Sequence, residues 1–187
     1  MREVWLKTIA GSLAIAMVVT LSTADHFHVS VEHRGVALAD IGAKSVEIHY
    51  APAENLERID VALIDGAGVS IDMAAYVLTD GAVIEALADA AARGVKARIW
   101  RDNSTSGYGD AAAIARLAAA GATIRIKPGP ELMHMKSYCV DGEILRTGAA
   151  NFSASGEKRQ DNDIVVIRDK AACAGFEANF ERLWGEK

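Results

Sequence analysis

HMKSYCVDGEILRTGAANFSASGEKRQDND, residues 134–163, is the stretch around which the chain is organised. His134 and Lys136 stand two apart, so in a strand both side chains point to one face and Met135 to the other. Asp141-Gly142 is a turn pair that favours a tight hairpin, which lays the returning strand Glu143–Thr147 beside the first. Gly148 and Asn151 come just past that second strand. The hairpin brings an imidazole, an ammonium and a carboxamide toward one end of one sheet, a grouping suited to holding and attacking a phosphate.

Upstream, strands alternate with helices. Val46, Ile48 and Tyr50 alternate with Glu47 and His49 as a strand, and Leu56, Ile59, Leu63 and Ile64 recur at helical spacing until Gly66 and Gly68. Val69–Tyr76 is a second strand, after which Thr79 and Asp80 are N-cap candidates for a helix that Gly94 stops. Val95–Trp100 is a strand, Asp110 begins an alanine-rich helix closed by Gly121, and Thr123–Ile126 is a short strand. The loop 127–133 then delivers the chain to His134. Downstream, Asn151–Gly156 reads as an irregular turn or short helical piece. Asp163–Arg168 is a final strand, and Lys170–Trp184 a helix whose buried stripe is Phe176, Phe180 and Leu183. This order predicts an α/β domain over residues 45–187, with a mixed, largely parallel sheet flanked by helices on both faces.

A chain of 187 residues, 51% of them apolar, is long enough for one well-buried domain and too short for two. The formal charge of −5 argues against a surface built as a whole for nucleic acid, though a local basic patch is compatible with it. Arg2 and Lys7 precede an apolar run from Ile9 to Leu21, followed by Ser22-Thr23-Ala24, the layout of a secretory signal over residues 1–24. The same segment read as an uncleaved membrane anchor is the alternative, and either way the chain is expected to be exported. Residues 25–44 show no sustained periodicity and read as a linker, in which His26, His28 and His33 are solvated rather than metal-bound. The spacing of Cys139 and Cys173 suggests neither zinc nor a redox pair. Cys139 reads as a small core residue, with a Cys139–Cys173 disulfide open in an oxidising compartment.

His134, Lys136, Asp141, Gly148 and Asn151 satisfy the spacing H-x-K-x4-D-x6-G-x-x-N. In this pattern the sequence resembles the phospholipase D superfamily, and especially its small members with a single HKD motif, such as bacterial endonucleases. VEIHYAPAENLERIDVALIDGAGVSIDMAAYVLTD and GVKARIWRDN extend the resemblance upstream, so that it covers Ser45 to the C-terminus. From the residues alone, Lys136 and Asn151 suit a clamp on non-bridging phosphate oxygens, and a neutral imidazole can attack phosphorus. One His134 cannot also protonate the leaving oxygen in that step. The resemblance implies that two chains pair as a homodimer, with a phosphohistidine on one His134 and leaving-group protonation by His134 of the partner subunit. That scheme requires no metal or cofactor. The resemblance also implies a structural Asp141, while Gly148 is read as serving backbone geometry.

Two departures stand out. Ala149 occupies the position where the family commonly has Ser, and the downstream acidic residue falls on Asn162, an amide that can orient a histidine but carries no charge. Asp161 and Asp163 flank it. These features keep open a weakly active or inactive member that binds nucleic acid or phosphorylated ligands. The substrate class stays open between phospholipid, DNA and RNA. Lys127, Arg146, Lys158 and Arg159 would supply a basic rim for nucleic acid. Against a lipid substrate, the mature part shows no long exposed apolar run or basic amphipathic helix to dock a membrane, so that any membrane contact is expected to be transient, whereas export and acidity fit an extracellular lipase as well as a nuclease.

Overall fold

Near-continuous burial from Ser70 to Ala75 marks the strand against which the sheet is assembled, apolar on one face and packed under a helix on the other. The computed structural model describes residues 17–19, 29–31, 45–103 and 110–185. Two short strands, β1 (Met17–Val19) and β2 (Val29–Val31), pair antiparallel within a separate unit, Met1–Gly42. The rest of the expected signal segment and linker, with His26, His28 and His33, lies outside the described residues. β2 is an element the sequence reading left as linker, because Val29-Ser30-Val31 is too short to register as periodicity.

The main unit holds strands β3 (Ser45–Ala51), β4 (Ser70–Ala75), β5 (Lys96–Arg101), β6 (Thr123–Ile126), β7 (Lys136–Val140), β8 (Ile144–Gly148) and β9 (Asn162–Arg168). Its helices are α1 (Leu56–Asp65), α2 (Gly81–Ala92), α3 (Asp110–Ala119), α4 (Ala154–Lys158) and α5 (Lys170–Trp184). The sheet order is β3-β9-β8-β7-β4-β5-β6. The expected mixed α/β sheet is present, but its parallel share is smaller than expected. Only β4 with β5 and β5 with β6 are parallel, and the other four ladders are antiparallel. Parallel neighbours need a crossover, which α2 and α3 provide. β7 instead enters beside β4 in the opposite direction and turns straight into β8, and β9 and β3 continue that sense.

Helices cover both faces, as expected. α1, α2 and Leu117 of α3 pack on Ile71, Met73, Ile99, Tyr138, Val140 and Val166. α5 covers the opposite face through Phe176, Phe180 and Leu183 against Ala74, Trp100 and Cys139. Burying such a side chain contributes roughly 1.5–3 kcal/mol. Arg98 adds a polar clasp, with 2.6 Å bonds to both oxygens of Asp72 and to Glu181 on α5. The cysteines are not only core residues: Cys139 of β7 and Cys173 of α5 form a disulfide across a Cα separation of 5.7 Å, which ties that strand to the C-terminal helix.

The caps explain where the helices begin. Asn55 accepts from Arg58 N–H at 3.3 Å, and Asp80 accepts from Ala82 and Val83 N–H at 2.9 and 3.3 Å. These bonds fix the start of α2 directly after β4, at the sheet end where β7 starts and β8 finishes.

Candidate active site

His134 and Lys136 come together at that sheet end. β7 begins at Lys136, so His134 lies in the extended segment before it and is exposed, whereas Lys136 is 7% exposed. The Lys136 ammonium donates to the His134 carbonyl at 2.9 Å and lies 3.3 and 3.4 Å from the two ring nitrogens. Burial first, and then the nearby Arg146 charge, lowers the Lys136 pKa below the ordinary lysine value. Met135 packs on the α5 side, as strand alternation predicted.

Asn151 follows β8 and is half-buried, with its carboxamide oxygen shielded from solvent and without a hydrogen-bond partner among the described residues. The next residue anchors it: the Phe152 carbonyl accepts from Thr79 and Asp80 N–H at 2.8 and 3.0 Å. Gly148 has φ 137, and a Cβ there would stand 2.6 Å from the Asp163 carbonyl oxygen and 2.8 Å from Ile164 Cα. No side chain fits, so the backbone role expected of Gly148 has a direct steric cause. Gly156 is equally confined, with a Cβ placed 2.6 Å from the Asn151 carbonyl oxygen.

Asp141 takes no part in this grouping. Asp141 and Gly142 have φ 54 and 68, and Glu143 N–H closes on the Val140 carbonyl at 2.9 Å, a left-handed hairpin turn. The carboxylate of Asp141 accepts from Gly68, Val69 and Ser70 N–H at 2.9, 2.8 and 2.8 Å. Burial opposes its charge, but these three donors prevail and hold its pKa below the ordinary aspartate value.

Asn162 departs from the expectation that it orients His134. Its amide donates instead to the Gly156 carbonyl at 2.8 Å and to Gln160 Oε1 at 3.2 Å. A carboxylate at this position would face a carbonyl oxygen, which gives the amide its physical reason. The basic rim is also reduced. Arg146 is fully buried, and Lys158 is paired with Glu57 and with Asp80, the latter at 3.5 Å.

The residues that hold the site together escaped the sequence reading. Arg146 Nε and Nη2 donate to the two oxygens of Asp60 at 2.9 and 2.7 Å, while Nη1 donates to the carbonyls of Lys136 and Ala150 at 2.9 and 3.2 Å. One guanidinium thus joins the backbone of the lysine strand to the backbone just before Asn151. The Tyr138 hydroxyl donates to the same Asp60 at 2.8 Å. A signal existed: Asp60 lies at helical spacing between Leu56 and Ile64 on the apolar stripe, and Arg146 shares its strand face with Ile144.

Glu157 completes this buried group, its carboxyl shielded from solvent beside Asp60. Burial, then the charges of Asp60 and Asp80, push its pKa from 4.5 to about 9. The folded chain therefore keeps a proton that the unfolded chain has released, and stability falls as pH rises from 4.5 to about 9. Glu157→Gln is expected to flatten this slope, with a higher Tm than the parent at pH 9; equal slopes in thermal melts would count against a protonated Glu157. Glu57, Asp80 and Glu157 offer ligand atoms within 4.8 Å of one another. The Lys158 ammonium already contacts Glu57 and Asp80, so this trio fits a built-in cation better than a divalent metal.

The family profile described as "Cardiolipin synthase, PLD-like domain" matches residues 61–184, which include His134, Lys136, Asp141, Gly148, Asn151 and Asn162. This chain belongs to the phospholipase D superfamily. A phospholipase D of Rickettsia conorii is 27% identical over 183 residues, covering 92% of this chain and 91% of the relative. A mitochondrial cardiolipin hydrolase of Xenopus tropicalis is 30% identical over 94 residues, covering 50% of this chain and 44% of the relative. Among solved structures, the phospholipase D family member Nuc from Salmonella typhimurium superposes with a TM-score of 0.73 at 28% identity, covering 76% of this chain and 95% of Nuc. As a superfamily member the chain is a hydrolase of phosphodiester bonds.

Proposed function

We propose that the chain hydrolyses a phosphodiester through a covalent phosphohistidine on His134, in a homodimer that brings two such sites together. The observation that carries this reading is the Lys136 ammonium held within 3.4 Å of the His134 ring at the sheet end where Asn151 also lies. An imidazole nitrogen attacks phosphorus, Lys136 and Asn151 hold the non-bridging oxygens, and the phosphorus–leaving oxygen bond breaks. The leaving oxygen takes its proton from His134 of the partner subunit. Water then attacks phosphorus, breaking the phosphorus–nitrogen bond and restoring the imidazole. Pairing is supported by the apolar stripe on β3, an edge strand of its sheet among the described residues, where Val46, Ile48 and Tyr50 are 60%, 50% and 56% exposed. β3 ends at Ala51 opposite Asn162, so the stripe runs to the site. The Cys139–Cys173 disulfide supports export to an oxidising compartment.

Engagement of Arg146 and Lys158 inside the protein favours a phospholipid over a polyanionic nucleic acid, in keeping with the phospholipase D and cardiolipin hydrolase names of the relatives. A panel of phosphatidylcholine, cardiolipin, single-stranded DNA and RNA, each assayed with chelator present, is expected to show turnover of a lipid. Loss of all activity in chelator would sink the histidine scheme, and turnover of DNA or RNA alone would overturn the lipid assignment. A second reading, a binder of phosphorylated ligands with weak or no turnover, is favoured by two observations. Ala149 is exposed and offers no hydroxyl, and Asn162 is turned to Gly156.

A further inference from the structure

Among the described residues, the hydrogen-bond and ring contacts of the exposed His134 side chain are to Lys136 and Tyr76. Asn162 is committed to the Gly156 carbonyl. A catalytic imidazole free to rotate loses rate, because a misplacement of about 1 Å costs on the order of 100-fold. Among the described residues of the single chain, no carboxylate is bonded to this ring.

We propose that Tyr76 is the positioning residue for His134, with its aromatic face doing what a carboxylate orienter does elsewhere; this rests on His134 being the nucleophile. Tyr76 is the first residue past β4, and its N–H donates to the Met135 carbonyl at 2.8 Å, midway between His134 and Lys136. That bond sets the aromatic residue in register with the segment it serves. The Tyr76 and His134 ring centroids are 4.4 Å apart with planes inclined at 54°, and the Lys136 ammonium stands 4.9 Å from the Tyr76 centroid. The geometry is that of a tilted aromatic pair with a cation beside both rings.

The position of Lys136 strengthens the case. Its ammonium is nearly equidistant from the two His134 ring nitrogens, at 3.3 and 3.4 Å. The in-plane directions at these nitrogens diverge, so a donor aligned with one would be close to that one and distant from the other. Lys136 therefore aligns with neither, and it does not fix the ring plane by a directed hydrogen bond. Tyr76 is left to do so by packing. Packing restrains the plane without consuming either nitrogen, so one remains available to attack phosphorus.

The test compares Tyr76→Phe, which keeps the aromatic face, with Tyr76→Leu, which removes it. Y76L is expected to lower kcat about 10- to 100-fold with KM within about threefold, and Y76F to restore kcat to within about threefold of the parent. The His134 ring C–H resonances, identified as those lost in His134→Ala, should carry a ring-current displacement that Y76F retains and Y76L abolishes. Parent-like kcat in a folded Y76L, or equal losses in Y76F and Y76L, would overturn the proposal, the second by pointing to the hydroxyl. If Y76L does not fold, Tyr76→Met serves as the variant without an aromatic face, read by the same criteria. Undiminished turnover in His134→Ala would instead defeat the nucleophile reading, while the resonance comparison would still report the ring contact.

Discussion

Arg146→Met is expected to lower the free energy of unfolding by about 3–5 kcal/mol, the cost of leaving a buried charge without its partner. The exposure of Arg146 and of Asp60 is 0%, and removing the guanidinium orphans more than one group. Asp60 loses two bonds of 2.9 and 2.7 Å, and the carbonyls of Lys136 and Ala150 lose the donor they share. The Tyr138 hydroxyl still donates to Asp60 at 2.8 Å. Asp60→Asn should behave similarly, with the charge orphaned on the other side. The double variant Asp60→Leu/Arg146→Met is expected to recover part of the loss, because neither charge is then buried. Urea unfolding followed by circular dichroism measures all three, and an Arg146→Met loss below about 1 kcal/mol would contradict the assignment of a buried pair. Activity should fall with Arg146→Met even where the variant is folded, because the same guanidinium sets the backbone of Lys136 against that of Asn151.

His134→Ala presents the opposite profile. The side chain is exposed, so its loss should shift Tm by no more than a few degrees. Turnover, however, should fall by about 10⁴-fold or more, as removal of a nucleophile does. Parent enzyme quenched in alkaline denaturant, which preserves a phosphorus–nitrogen bond, should yield a phosphoramidate adduct on the peptide containing His134, and the variant none. Turnover retained within about tenfold would remove His134 from the chemical step. The contrast is diagnostic: Arg146 is a scaffold residue whose loss reaches the site through the fold, and His134 a site residue whose loss leaves the fold alone.

The fold and much of the site were legible because the relevant signals are local. Asp141-Gly142 demands left-handed backbone and so announces the hairpin; Asp80 caps α2 where its sequence position predicts; and Phe176, Phe180 and Leu183 mark the buried stripe of α5. What was not legible depends on elements distant in sequence. Asp60 and Arg146 stand 86 residues apart, and each alone resembles an ordinary surface charge. Their burial exists only once α1 lies across β8. The proportion of parallel strands was overestimated for a related reason: helices between strands are visible in sequence, whereas the direction in which β7 joins β4 is set by the loop before it. Tyr76 looked like the tail of a strand, and its place beside His134 follows from the pairing of Ala75 with Lys136.

Asp141 has a consequence for how the spaced pattern itself is understood. Its carboxylate clasps the backbone at Gly68, Val69 and Ser70, more than 70 residues upstream, and Gly148 admits no side chain. A chain that lost all turnover would still have reason to retain both, since losing them would cost it the architecture. The five-position pattern is thus a composite signature. Two of its letters certify that the scaffold is sound, and on the function proposed above it is His134, Lys136 and Asn151 that speak to whether anything is cut.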